Sequence, residues 1–457
     1  MSQTDLQPIL LEVSASPAAV VCDGSEQDVA ILVSVRPSDA LRASPEATRI
    51  GTDLCLVLDC SGSMEKPCGN ASRLEVAVQA ARAILPLLRP QDTISVVSFS
   101  GDARVLLATA TPADPQQALA ALEGLSPSFE TAIGQGLTTA VRVLAACDAR
   151  RHRRIVLLTD GHATDGEAGL EAAALAAQQG IVIDALGIGD DYHKIYLERL
   201  VAPGKGRSAP IASAEDAVAA FRNLAILATQ AVATNVQLQI EFSPDVRAAD
   251  HYRGAPENLY LGMVRYPTAA RRIEIPLGAI ERDQRYDYYF VVRVPAPTDA
   301  GGQLRLARFA IACDVPAWNR SGVMTSANAV VDLVEPGTIV AHDSRIEVGL
   351  ARARIKRWER EADEARQRGD AATAVARYRQ AIELCHRQGM YAEEQNYQAI
   401  LDSYLATGTV DQALLNRAAH SSTKAADAGI LPMAASGPRH NPFAARRAHS
   451  ATRGGPS

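Results

Sequence analysis

The stretch Leu54–Met64 reads LCLVLDCSGSM. Its first half, LCLVLD, is a short apolar run ending in a carboxylate. Its second half sets hydroxyls at Ser61 and Ser63, two and four residues after Asp59. An apolar run of this length bounded by turn residues reads as a buried strand. The cluster Asp59, Ser61 and Ser63 then falls in the loop that leaves the strand's carboxyl end.

Working outward, three more runs share the character of the first: TISVVSF (93–99), RIVLLTD (154–160) and IVIDALGIG (181–189). They are apolar on both faces, which marks a sheet covered on both sides. Helical patterns lie between and after them, at 72–88, 115–124, 134–147, 167–179 and 215–230. Alternation of this kind predicts a doubly wound, Rossmann-like α/β domain over 50–230. From 234 the period changes to alternating polar and apolar residues, as in NVQLQIEFS and YDYYFVVRVPA. This predicts antiparallel strands and a β-sandwich over 234–340. Residues 1–48 hold a short strand region with VAILVSV, too small to bury a core alone, followed by a linker from 37. Those strands are expected to join the later sheet, so that the α/β domain is inserted in, or flanked by, the sandwich. Residues 345–430 carry a helical period, and 432–457 read as a flexible, weakly basic tail.

Composition narrows the function classes. The 457 residues carry a net charge of −6 and 47% apolar residues. From Arg345 onward 17 basic residues face 12 acidic ones, whereas the part before holds 29 and 40. An acidic front part suits a divalent cation. No run approaches the 18 or so apolar residues of a membrane span, and MSQTDLQPIL does not resemble a signal peptide. Seven scattered cysteines fit a reducing, cytoplasmic setting, with Cys22 and Cys55 as buried thiols.

Ligands of open α/β sheets bind outside the carboxyl ends of the strands. Three features fall there: Asp59 with Ser61 and Ser63, then Thr131 in FETAIGQGL, then Asp160 in LLTDG. All carry oxygen, which suits a hard cation such as Mg²⁺. Other readings stand beside this one. A serine of the cluster as helix N-cap competes with Asn70 and Ser72, which lie nearer the 72–88 helix. A phosphate loop would need more glycine and a lysine. A serine nucleophile would need a base, and no G-x-S-x-G is present. Asp59 and Asp160 could stand as an isolated acid/base pair, but nothing marks a substrate pocket. A metal-dependent hydrolase using them would, with two metals, need more carboxylates than these loops offer.

Residues 50–230 resemble the von Willebrand factor type A domain, and the three loops resemble its metal-ion-dependent adhesion site. The family's D-x-S-x-S falls on Asp59, Ser61 and Ser63, its threonine on Thr131 and its last aspartate on Asp160. The resemblance implies that Mg²⁺, with Mn²⁺ or Ca²⁺ as substitutes, takes hydroxyls from Ser61, Ser63 and Thr131. It implies that the aspartates act partly through water, and that a protein partner's Glu or Asp completes the shell. The implied protein is a non-enzymatic interaction module, with self-association as a second source of the carboxylate. An adaptor or regulatory subunit of an assembly with an ATPase or kinase is the alternative. Many family members have Gly-Gly before the threonine, where this chain has Phe129 and Glu130. Glu130 is read as a solvent-facing loop residue, with tuning of the site as its functional alternative. Cys60 and His162 are read as bystanders. The insertion of such a domain in a sandwich is similar to intracellular proteins, among them vesicle-coat and RNA-binding scaffold families. The later helices resemble a tetratricopeptide pair, with Gly369-Asp370 at its turn and Ala374, Tyr378 and Ala381 on its inner face. The basic run ARRHRR (149–154) is read as a solvated face at the far end of the sheet. No aromatic platform accompanies it, which argues against nucleic acid. Trp318 and Trp358 are read as packing residues.

Overall fold

A computed structural model of the chain describes residues 7–44, 50–111, 115–128, 130–161, 163–263 and 272–418. Along the chain come β1 (Ile9–Ser16), β2 (Ala19–Val21), β3 (Gln27–Pro37) and the short helix α1 (Asp39–Ala43). The next part opens on β4 (Thr52–Asp59), a two-residue ladder of β5 (Pro67–Cys68) and β6 (Ala71–Ser72), and α2 (Arg73–Ile84). It continues with β7 (Thr93–Phe99), β8 (Ala103–Ala110), α3 (Pro115–Glu123), α4 (Ile133–Ala145), β9 (His152–Thr159) and α5 (Gly166–Gln178). It closes with β10 (Val182–Ile188), α6 (Lys194–Val201), β11 (Ser208–Ile211) and α7 (Ala214–Thr229). Then follow β12 (Ala231–Phe242), β13 (Arg247–Ala255), β14 (Leu259–Met263), β15 (Arg272–Glu281), β16 (Tyr286–Val294), β17 (Gln303–Val315) and β18 (Arg320–Val334). Three helices end the series: α8 (Ser344–Gln367), α9 (Ala371–Arg387) and α10 (Tyr391–Thr407), before a last helical turn at 412–418.

The central sheet has the order β11-β10-β9-β4-β7-β8. All neighbours run parallel except β7 and β8. Successive strands are laid to one side of β4 as far as β8, then to the other side from β9 onward. The carboxyl ends of β4 and β9 therefore flank the point where the winding reverses, the place where such sheets open a crevice. Alternate residues of β4 feed two apolar layers: Leu54, Leu56 and Leu58 join α2, α3 and α7, while Cys55 and Val57 join α4, α5 and α6. This is why the strand is apolar at every position from Leu54 to Leu58.

The remaining strands form two five-stranded sheets, β1-β3-β16-β13-β14 and β15-β12-β17-β18-β2. One apolar cluster joins their facing sides, with Val33, Tyr288 and Phe290 from the first and Leu238, Phe309 and Val331 from the second. The N-terminal strands thus pair with strands more than 200 residues later, as in the register of Val33 with Tyr288. Helix α8 lies on the outer face of the first sheet through Ile346, Leu350 and Ala353. Helices α9 and α10 pack on α8 around Tyr378 and Tyr397. The turn between α8 and α9 uses Gly369 at φ +74° and Asp370, which accepts a hydrogen bond from the Thr373 amide. Ala374, Tyr378 and Ala381 are buried, and both tryptophans pack against apolar clusters.

Three expectations need correction. The linker region from 37 contains α1, capped by Ser38, whose Oγ accepts from the Leu41 amide. The strand β8, not among the expected strands of the central sheet, follows β7 directly at the sheet edge. No position of it is fully buried, so it lacks the two-sided burial that marks the expected ones. The basic run is not a solvated face. Only Arg150 of its arginines is well exposed, and His152, Arg153 and Arg154 are buried in β9. Arg154 binds the Asp184 carboxylate and lies 3.4 Å from Glu281. Arg151 binds Asp53 at 2.8 Å. The run was misread because its acidic partners sit on three different strands, one of them outside the α/β part.

Candidate functional site

The site is built from loops that leave β4, β7 and β9 and from the loop that enters α4. Backbone hydrogen bonds tie them together in series. The Cys60 amide donates to the Phe99 carbonyl at 2.8 Å, and the Ser128 amide to the Cys60 carbonyl at 2.7 Å. The Ala132 amide donates to the Ser100 carbonyl at 2.6 Å, and the Thr164 amide to the Thr131 carbonyl at 2.9 Å. Satisfying these buried backbone groups fixes the loops as one rigid rim. Gly136 lets α4 close on β7, because a Cβ there would lie 2.8 Å from the Phe99 ring. The α4 entrance is covered by Asp165, whose two oxygens accept from the Gly134 and Gln135 amides at 2.9 and 3.1 Å.

Asp59 ends β4 fully buried. One of its oxygens accepts from the Ser61 amide at 2.8 Å, the other from the Thr159 hydroxyl at 2.5 Å. Burial pushes its pKa up to about 6, against the pull of hydrogen bonds from the Thr159 hydroxyl and from the Ser61 hydroxyl and amide, and with a push from the Asp160 charge. Ser61 and Ser63 stand together, their Oγ atoms 3.0 Å apart. Neither hydroxyl caps the 72–88 helix. Ser72 does, in a reciprocal capping box with Glu75. Ser61 heads only the short turn Gly62–Glu65, without a side-chain cap bond. Thr131 is buried on the neighbouring loop, and Asp160 is fully buried just after β9.

The structure thus sets Asp59, Ser61 and Ser63 on one loop and joins it by backbone hydrogen bonds, through neighbouring loops, to those of Thr131 and Asp160. Among the described residues no three His, Cys, Asp or Glu side chains converge. A cation here would be held by two carboxylates and three hydroxyls. That all-oxygen donor set fits Mg²⁺, which keeps several waters and accepts few protein carboxylates. Cys60 is buried, and burial pushes its thiol up to about 12, so it offers no thiolate. Glu130 is exposed, with its carboxylate over Gly101. Phe129 and His162 lie outside the described residues.

Four side chains beside the site carry no motif and were not singled out from sequence. Thr159 holds the second oxygen of Asp59. Arg73, at the first position of α2, binds Asp160 at 3.0 Å and also the Asp191 carboxylate. The His193 amide donates to the Asp160 carbonyl at 3.0 Å, and its ring lies 3.5 Å from Asp363 of α8. Only the position of Thr159, next to Asp160 in LLTDG, gave a signal. The others are loop residues or helix starts distant in sequence.

A family model described as von Willebrand factor type A domain matches residues 54–162. The chain therefore carries a type A domain. A protein of Synechocystis sp. described as uncharacterized is 29% identical over 217 residues, covering 47% of this chain and 50% of that relative. The chain thus spans about half the length of that relative. The solved structure of a von Willebrand factor type A protein from Catenulispora acidiphila superposes with a TM-score of 0.72 at 18% identity. It covers 93% of this chain and 98% of the other. The ArnB paralog VWA2 from Sulfolobus acidocaldarius superposes with a TM-score of 0.56 at 14% identity, over 92% and 99% of the two chains. At these identities the two structures share the fold, and they share it beyond the type A domain. No helix among the described residues is long and apolar enough to cross a membrane.

Proposed function

We propose that the protein is a non-enzymatic interaction module whose type A domain holds Mg²⁺ and binds an acidic side chain of a partner protein. Asp59, Ser61, Ser63, Thr131 and Asp160 would hold the ion. When bound, the ion supplies a positive charge that a partner's Glu or Asp can ligate directly. The chain's own residues do the rest. The loop hydrogen bonds keep the oxygens in place without the ion, and Asp59 is held from two sides by the Ser61 amide and the Thr159 hydroxyl. The observation that carries the reading is Asp59 itself. A fully buried carboxylate at the winding switch, its pKa raised by burial and facing a second aspartate, is costly unless a cation is its purpose.

The test uses the full chain. Mg²⁺ is titrated by calorimetry into wild type and Asp59→Ala, and partner capture is compared in Mg²⁺, in EDTA and with the variant. Binding of Mg²⁺ and capture of the same protein by wild type in Mg²⁺ alone are expected. Equal capture in all three conditions would sink the metal-gated reading.

A second reading, an adaptor subunit of a larger assembly, draws on α10. That outer helix exposes Tyr391 and Leu405 to 64% and 59%. Mass photometry that finds a monomer at all concentrations, alone and with the products of adjacent genes, would count against it.

A further inference from the structure

Arg73 sits where a metal-binding loop set has least use for a cation. Its side chain is 6% exposed, and it meets Asp160, which is fully buried, at 3.0 Å. Its other terminal nitrogen binds Asp191. The guanidinium is seated against Gly189, whose φ is +90° and where a Cβ would fall 2.6 Å from an Arg73 nitrogen. A glycine is needed there twice over, for the left-handed backbone and for the close approach. The Arg73 Nε, also buried, has no hydrogen-bond partner among the described residues. Asp191 is pinned in turn by Lys66 at 3.3 Å. Burial alone would raise the Asp191 pKa, but hydrogen bonds and charge from Arg73 and Lys66 hold it below the usual carboxylate range. This is a built position for the charge and not a chance surface pair.

We infer that Arg73 is a resident counter-charge of the site, which shares Asp160 with the metal, loosens the metal and tightens the acidic ligand. The inference rests on the metal reading above. Asp59, Asp160 and Asp191 bring three negative charges, and Arg73 with Lys66 returns two positive. A divalent ion bound to Asp59 and Asp160 alone would leave the site neutral. With Arg73 the loaded site keeps one positive charge, which an incoming carboxylate cancels. Before loading, the same guanidinium holds Asp160 in place, so the loops do not have to reorganise around a repelling pair. Opposite charges at a few ångströms matter more at a site walled by protein than in water. Arginine suits the task because it stays charged when buried and its planar fork can serve two carboxylates at once.

A merely structural arginine and a counter-charge predict different signs. In Arg73→Met, Mg²⁺ measured by calorimetry is expected to bind about tenfold more tightly. Acetate, used as the carboxylate probe on the Mn²⁺-loaded protein and read by water-proton relaxation, is expected to bind about fivefold more weakly. Asp191→Asn is a milder, half-exposed change that leaves Arg73 its charge and removes its second partner. It is expected to weaken Mg²⁺ about threefold, and it decides the case if Arg73→Met does not fold. Loss of both metal and acetate affinity in folded Arg73→Met would show that Arg73 only props up the loops and would overturn the inference. Unchanged or tighter Mg²⁺ binding in Asp191→Asn would overturn it as well. A wild-type chain that takes up no Mg²⁺ would instead overturn the metal reading, and this inference with it.

Discussion

The two ends of the central sheet both bury charged groups and treat them in opposite ways. At the amino ends of the strands, Arg151 meets Asp53, Arg154 meets Asp184 and Glu281, and Lys205 meets Glu281 at 3.1 Å and the Tyr286 hydroxyl at 3.1 Å. These groups are paired and closed over by the second sheet pair. At the carboxyl ends, buried Asp160 meets Arg73, which also binds Asp191. Buried Asp59 is held by hydrogen bonds from Ser61 and Thr159 and is paired with no cation among the described residues. A sealed ionic end fixes how the α/β domain sits on the strands around it. An under-neutralised end is the one proposed above to take up a cation. The difference teaches that burial of charge alone does not mark a site. The balance of charge does.

Breaking the sealed end is expected to give the largest effect. Glu281→Ala removes the acceptor shared by Arg154 and Lys205; Arg154 keeps Asp184, but the buried Lys205 ammonium loses its carboxylate. The cost is about 3–5 kcal/mol in urea unfolding. Glu281 also sets an acid limb. Its carboxyl is held down to about 2: burial opposes the shift, but Lys205 and Arg154 outweigh it. The unfolded chain therefore binds this proton first as pH falls. Its contribution is full above about 4.5 and is lost as pH drops toward 2. Unfolding curves between pH 5 and 3 should steepen for wild type relative to Glu281→Gln. Parallel curves would show that the pair contributes no such linkage.

The open end should respond to metal and not to ordinary salt. Mg²⁺ at about 100 times its dissociation constant is expected to raise stability by about 2.7 kcal/mol. Asp59→Ala should lose that increment while the sealed end stays intact. The check is urea unfolding with Mg²⁺, with EDTA and with NaCl at matched ionic strength. An equal gain in NaCl would reduce the contrast between the two ends to screening.

Much of the open end was legible in sequence because parallel sheets obey a simple grammar. A run apolar on both faces implies cover on both sides, and a polar strand end implies the crevice. Asp59 and Asp160 could be placed by that rule alone, with Thr131 following from the loop before a helix. Arg73 could not, since its partner lies 87 residues away and its position reads as an ordinary helix start. The sealed end was misread for a related reason. Six residues with four arginines suggest a solvated patch, and their acids stand one at a time at Asp53, Asp184 and Glu281. Periodicity reports which face is buried. It says little about which charges will meet there.

The smallest expected effect sharpens where the open end stops. Asn416, in the helical turn at 412–418, donates to the Asp190 carbonyl at 2.8 Å and to the Tyr192 carbonyl at 3.3 Å. Those residues bracket Asp191, which holds Arg73, and His193 follows with its amide on Asp160. The C-terminal helices therefore grip the same loop, 189–193, that braces the site from behind. Asn416→Ala leaves two carbonyls without that donor, a local cost of about 1–2 kcal/mol to the seating of this turn on the loop. Global unfolding should change little, because α8 to α10 retain their own apolar core. Hydrogen–deuterium exchange should rise at 412–418 and at 189–193 together, and stay constant at β9 and β10. A rise confined to 412–418 would mean that the helices merely rest on the domain. A joint rise would place the rim of the open end within reach of whatever binds the helices.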